Sequence, residues 1–283
     1  MSLAGASTDM ASRAPLLPAL LAIGRPVIMG ILNVTPDSFS DGGQFQDTDR
    51  AIAHARRMVE DGADIIDVGA ESTRPYGDAI PISAEDEMAR LRPILAEVIA
   101  MGRPVSIDTM KARVAAYALE AGAVIANDVW GLQRDPDMAR VVAKHRVPVI
   151  VMHNRETADP AIDIVADISD FLRRSLEIAD RAGIARDAIV LDPGIGFGKT
   201  PEQSITAIAR LDVFKSFGLP LLIGLSRKRF ISSIVPSAPD QRLGGSIAGN
   251  ILATMSGAAI VRTHDVAETV QALRVADAIR KAR

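Results

Sequence analysis

The sequence contains no cysteine, which excludes a disulfide framework, a thiolate zinc site and a cysteine nucleophile together. Histidine is scarce as well, with four in 283 residues. His153 and His264 follow predicted strands, whereas His54 and His145 fall on helical stretches, so a His-rich catalytic zinc centre is not expected. Charge of one sign is not in excess: 32 basic side chains stand against 35 acidic ones, for a formal net charge of -3. The chain therefore lacks the global basic field that drives non-specific nucleic-acid binding, and no nucleic-acid partner is expected. Long hydrophobic runs are missing too, none approaching the ~20 residues of a membrane span. The apolar stretch 14–23 carries Pro18, is preceded by Asp9 and a lone Arg13, and is stopped by Arg25, unlike a signal peptide. These absences point to a cytoplasmic protein with no membrane partner, in which residues 1–25 are a partly disordered lead-in and 26–283 form one domain.

What is present is a repeat of short Val/Ile-rich runs, polar loops and helical stretches dense in Ala, Arg and Glu. Strands are predicted at 27–33, 64–68, 104–107, 124–127, 147–152, 189–191, 220–223 and 259–261. Helices are predicted between and after them at 48–60, 84–100, 111–120, 136–145, 162–181, 201–213, 243–255 and 266–280. Such alternation implies parallel strands with crossover helices. Eight units in one chain without a linker predict an α/β fold, a single (β/α)8 TIM barrel, with a doubly wound open sheet as the rival. In either fold, ligands sit at the carboxyl ends of the strands.

Those ends are rich in polar side chains. They carry Asn33 with Thr35 to Phe39, Glu71 to Pro75, Asp108 and Thr109, Asn127 and Asp128, His153 and Asn154, Asp192, Ser226 to Lys228, and Arg262 to Asp265. Helix N-capping accounts for Thr109, Asp128 and Asp265 without any function. It does not account for Lys228, Arg262 and His264, because the helix dipole disfavours cations at helix N-termini. Three cations at one end of the molecule suggest an anion site. The run Gly194-Ile195-Gly196-Phe197-Gly198-Lys199-Thr200 fails the P-loop spacing, since Pro193 stands where the first glycine belongs. Its glycines serve either a tight turn or the close approach of backbone to a flat ligand. Lys228 as a Schiff-base lysine is a weaker reading, because its cationic neighbours suit phosphate better.

The stretch 30–43 (Gly-Ile-Leu-Asn-Val-Thr-Pro-Asp-Ser-Phe-Ser-Asp-Gly-Gly), with 71–75, 192–198, 226–228 and 262–265, strongly resembles the dihydropteroate synthase family from about Val27 onwards. The resemblance implies a barrel that condenses 6-hydroxymethyl-7,8-dihydropterin pyrophosphate with p-aminobenzoate, releasing pyrophosphate, in folate biosynthesis. It implies a dissociative substitution, sulfonamides as inhibitors, and a homodimer. Residue by residue, it assigns Thr73, Arg74, Asp108, Asn127, Asp192, Lys228, Arg262 and His264 to the pterin pyrophosphate. Of these, Asp108, Lys228, Arg262 and His264 are expected to be catalytic. Phe39, Pro75, Lys228 and Arg229 are assigned to p-aminobenzoate, and Asn33 to Mg²⁺. The chemistry agrees: a pterin edge offers adjacent donors and an acceptor, which suits a carboxylate beside an amide.

The sequence departs from the family pattern at two places. Tyr76 follows the Ser-Thr-Arg-Pro motif where glycine is usual, in a loop about two residues longer than normal. Arg229 follows Lys228 where serine is common. These changes predict conventional pterin binding with shifted arylamine and sulfonamide affinities. A pterin-dependent methyltransferase domain and a non-catalytic pterin-binding paralogue are the alternatives; the Ser-Arg-Lys and Arg-Thr-His motifs oppose the first.

Overall fold

A computed structural model describes residues 16–34, 44–71 and 81–282. Its strands are β1 (Val27–Asn33), β2 (Ile65–Gly69), β3 (Val105–Asp108), β4 (Ile125–Asp128), β5 (Val149–Met152), β6 (Ile189–Asp192), β7 (Leu221–Gly224) and β8 (Ala258–Thr263). They pair in parallel in chain order, and β1 also pairs with β8, so the sheet closes into a barrel. Closure settles the choice against an open doubly wound sheet. The helices between strands are α2 (Gln44–Glu60), α3 (Ala84–Leu91), α4 (Leu95–Ala100), α5 (Ala112–Ala121), α6 (Met138–His145), α7 (Ile164–Ala182), α8 (Pro201–Ala209), α9 (Leu211–Phe214), α10 (Arg229–Ile234) and α11 (Leu243–Met255). A short α1 (Leu16–Leu21) precedes the barrel and α12 (Val266–Lys281) follows it. Among the described residues no helix is long and apolar enough to cross a membrane.

Successive side chains of a strand point to opposite faces, so every β-strand except β3, whose inward residues are Ser106 and Asp108, divides its apolar residues between two cores. The outward set packs with helix residues into the larger core, for example Ile28, Ile66, Ile107, Val151, Leu191 and Ile223 with Met58, Leu95, Leu119 and Leu172. The inward set forms a smaller apolar cluster of Val27, Met29, Ile65, Ile125, Ile150, Val190, Leu222 and Ile260. Leu17 of α1 is buried in that inner cluster, so part of the expected lead-in packs against the barrel.

Besides α1, which was not predicted, three elements differ from the sequence reading. The helix expected over 84–100 is two helices, because Pro93 has no N–H to continue the ladder. The one expected over 201–213 breaks at Arg210, whose φ of -108° and ψ of 25° are not helical. The helix α10 was not anticipated: Arg-Phe-Ile-Ser-Ser-Ile is too short to show a helical period and is rich in β-formers.

Candidate active site

The inner apolar ring ends abruptly, and strand periodicity shows where. Two residues beyond Ile65, Ile125, Val190 and Ile260, on the same inward face, stand Asp67, Asn127, Asp192 and Arg262. The inward position of β3 is taken by Asp108, aligned with Asn127 of β4 and Gly69 of β2. A polar ring thus caps the apolar one at the carboxyl ends of the strands.

Arg262 is the centre of this ring. Its Nε donates to Asp67 Oδ2 and its Nη2 to Asp108 Oδ2, both at 2.6 Å. Asn127 Nδ2 donates to the same Asp67 oxygen at 3.1 Å. The other oxygens, Asp67 Oδ1 and Asp108 Oδ1, are buried without a hydrogen-bond partner. Burial pushes the Asp108 carboxyl up to about 7, with Arg262 opposing the shift and Asp67 reinforcing it. Burial also raises Asp192, against the pull of Lys228 and the Gly194 N–H.

The β6 and β7 loops supply the neighbouring wall. Asp192 Oδ1 accepts from Gly194 N at 2.7 Å, and Lys228 Nζ donates to the Ile195 carbonyl. The Lys228 ammonium lies 4.7 Å from the Phe197 ring centroid, and burial lowers its pKa to about 8. Gly194 has φ +65°, and a Cβ there would lie 1.9 Å from the His153 carbonyl, so only glycine fits. Tight packing therefore explains that residue without a ligand.

At the β8 end, His264 Nδ1 lies 3.0 Å from Ser226 Oγ. Asp265 occupies the N-cap position of α12 without making a capping bond. Its carboxylate instead takes Arg227, with Nη2 to Oδ1 at 2.5 Å, which corrects the capping reading for this residue. Thr109 does not cap α5, whose N-cap position is Lys111; it receives the Lys111 N–H at 3.2 Å in the turn before the helix. Asp128 closes a turn by accepting from Trp130 N and Leu132 N at 2.9 and 2.7 Å.

The structure brings Asp108, Asn127, Asp192, Lys228, Arg262 and His264 to one end of the barrel. Arg229 is exposed at the first turn of α10. Phe39, Thr73, Arg74, Pro75 and Tyr76 lie outside the described residues. Asn33 ends β1, half-buried. No group of three or more His, Cys, Asp and Glu that could hold a metal occurs among the described residues. A single amide oxygen fits Mg²⁺ that draws its remaining ligands from water and phosphate, and does not fit an all-protein cage. Asp67 lies inside β2 and not at its end, and its place two residues beyond inward Ile65 is the sequence signal for it.

A barrel mouth that combines buried carboxyl groups, an amide and a central guanidinium can offer N–H acceptors beside a cation. Residues 29–264 match the pterin binding enzyme family. The chain is 43% identical over 256 residues to the dihydropteroate synthase of Bacillus subtilis, covering 90% of this chain and 89% of that one. A Clostridium difficile dihydropteroate synthase crystallised in the presence of pteroic acid superposes with a TM-score of 0.87 at 47% identity, covering 90% and 97% of the two chains. The Yersinia pestis enzyme in a sulfonamide drug complex gives 0.84 at 41%, covering 92% and 95%. Within the pterin-binding enzymes, the chain belongs to the dihydropteroate synthase family, and it is a transferase.

Proposed function

We propose that this site condenses 6-hydroxymethyl-7,8-dihydropterin pyrophosphate with p-aminobenzoate, releasing pyrophosphate and forming 7,8-dihydropteroate in folate biosynthesis. The observation that carries this reading is the ring of Asp108, Asn127 and Asp192 around Arg262, with Asp108 Oδ1 buried and lacking a hydrogen-bond partner. Pteroic acid, present with the Clostridium difficile relative, is a pterin joined to p-aminobenzoate, the two halves of this product.

Asp192 and Asn127 hold the aminopyrimidinone edge, the carboxylate taking N–H bonds and the amide offering both polarities. Lys228 bonds ring acceptors and borders the benzoate. Arg262 lies flat against the pterin and reaches the phosphates with its remaining N–H groups. The carbon–oxygen bond at the pterin methylene breaks first, its electron pair leaving with pyrophosphate. Arg262 and His264 stabilise that departing charge in a site poor in water. The methylene cation is conjugated with the ring and faces the Asp108 carboxylate. The neutral arylamine then attacks with its own lone pair, a carbon–nitrogen bond forms, and the surplus nitrogen proton passes to the released pyrophosphate, so no general base is assigned to a side chain. Asn33 would hold Mg²⁺, which when bound neutralises phosphate charge.

Sulfonamides, which mimic an arylamine with an acid group, are expected to compete for the benzoate position. A homodimer is also proposed, supported by Leu252 and Met255 exposed on α11 and Val275 and Ile279 exposed on α12. The deciding experiment follows pyrophosphate release with both substrates. Release dependent on p-aminobenzoate and matched by dihydropteroate supports the reading, while pterin binding without release would leave a non-catalytic binder.

A further inference from the structure

The Gly-Lys-Thr segment that fails as a nucleotide loop leaves Lys199 without a role in the chemistry above. Lys199 is 1% exposed. Its Nζ lies 2.6 Å from His153 Nδ1, 2.8 Å from the Gly194 carbonyl and 3.1 Å from the Phe197 carbonyl. Burial pulls the Lys199 pKa well below its usual value, with Asp192 opposing the shift, and acceptors grouped around Nζ are what the three N–H donors of an ammonium satisfy. His153 Nδ1 is then the bare nitrogen, and Nε2–H donates to Asp167 Oδ2 at 2.9 Å. Burial holds His153 neutral, its pKa down to about 3, and nearby Lys199 adds to that effect. The other Asp167 oxygen takes Arg155 Nη1 at 2.8 Å. The chain Arg155–Asp167–His153–Lys199 therefore runs from a partly exposed surface to the inside of the β6 turn.

That turn carries two groups of the substrate site. Its Gly194 N–H fixes one oxygen of Asp192, and its Ile195 carbonyl anchors Lys228. The turn bends through Gly194, Gly196 and Gly198, all at positive φ, so its own residues do little to restrict its backbone. Two of its carbonyls converge on Lys199 instead. Resting on the function proposed above, we infer that Lys199 is a positioning residue for the pterin edge: from inside the turn it sets the directions of Asp192 and Lys228.

The test measures affinity for the pterin pyrophosphate by titration calorimetry without p-aminobenzoate, beside steady-state turnover and thermal melting. Lys199→Met keeps the buried stem and deletes the donors. Its Kd and KM for the pterin substrate are expected to rise at least tenfold, with a smaller rise in KM for p-aminobenzoate, because Lys228 also borders the benzoate. Asp167→Asn, at a partly exposed position, is expected to raise the pterin Kd at least twofold, and it decides the matter if Lys199→Met does not fold. Thr200→Ala loosens the neighbouring N-cap of α8 and should lower the melting temperature with the pterin Kd unchanged. A pterin Kd unaltered in the Lys199 or Asp167 variant, or raised as much by Thr200→Ala, overturns the inference. Wild-type enzyme that binds pterin without turning over overturns the proposed activity instead, and the Kd comparison still judges Lys199.

Discussion

Asp67→Asn is the substitution that most directly tests the electrostatics of the ring. Asp67 and Asp108 grip one guanidinium from two sides, so each carboxylate feels both the cation and the other anion. Two charges roughly 6 Å apart at an effective dielectric of ~20 repel by about 3 kcal/mol, or roughly 2 pKa units. With Arg262 lying between them, a fall of about 1–2 units is the expected relief for Asp108. The Asp108 carboxyl stands at about 7 in the native protein. If its ionised form serves the pterin, kcat/KM for the pterin substrate has an acid limb near that pH, since this parameter reports the free enzyme. Lys228, at about 8, sets the alkaline limb. The Asp67→Asn variant should therefore keep its alkaline limb and widen the bell downward.

Stability gives a second readout of the same substitution. A raised native pKa means that the folded state binds more protons than the unfolded chain between ~4 and ~7. Asp108 thus stabilises least at neutral pH, its contribution falling as pH climbs through that window, and Asp67→Asn should narrow the window. The variant also loses a charge-assisted bond worth ~1.5–3 kcal/mol, lowering the melting temperature by roughly 4–10 °C. An acid limb within about 0.3 units of wild type in a folded variant would refute the assignment of that limb to Asp108.

Three other substitutions probe separate parts of the molecule. Asp192→Ala should weaken pterin binding at least a hundredfold by calorimetry while leaving a native circular dichroism spectrum. Gly194→Ala forces a Cβ to 1.9 Å from the His153 carbonyl, so loss of more than ~4 kcal/mol is expected in denaturant titration, with little soluble enzyme. Leu17→Ala removes a side chain packed against the inner cluster; a cost of about 2–4 kcal/mol with both KM values unchanged is the expected outcome.

The strands were legible because a barrel buries both faces of its sheet, leaving Val/Ile-rich runs bounded by polar residues. β1 is found at its predicted limits, and the other strands begin or end within two residues of theirs. Helix interruptions were harder to read: the break at Arg210 has no proline to announce it, and α10 is shorter than a period. The cations Lys228, Arg262 and His264 stood out because capping could not explain them. Their electrostatic setting did not, since partners such as Asp67 lie inside strands, and an Asp within an apolar run becomes informative only once inward parity is known. Lys199 was hidden differently: its neighbours in sequence suggested a phosphate loop, and its real partners come from the β5 loop and its own turn.

Arg262 meets two carboxylates before any ligand arrives, and this has a consequence for selectivity. A bare cation at the barrel mouth would attract every phosphate or sulfate in solution, and such ions would compete with substrate. Here much of the positive field is cancelled locally, so a simple anion gains little by entering. On the proposed function, a molecule that carries phosphate at one end and ring N–H groups at the other would engage the ring carboxyl groups and the guanidinium together. On that reading, the pairing of Arg262 with Asp67 and Asp108 selects for two chemical features presented at once.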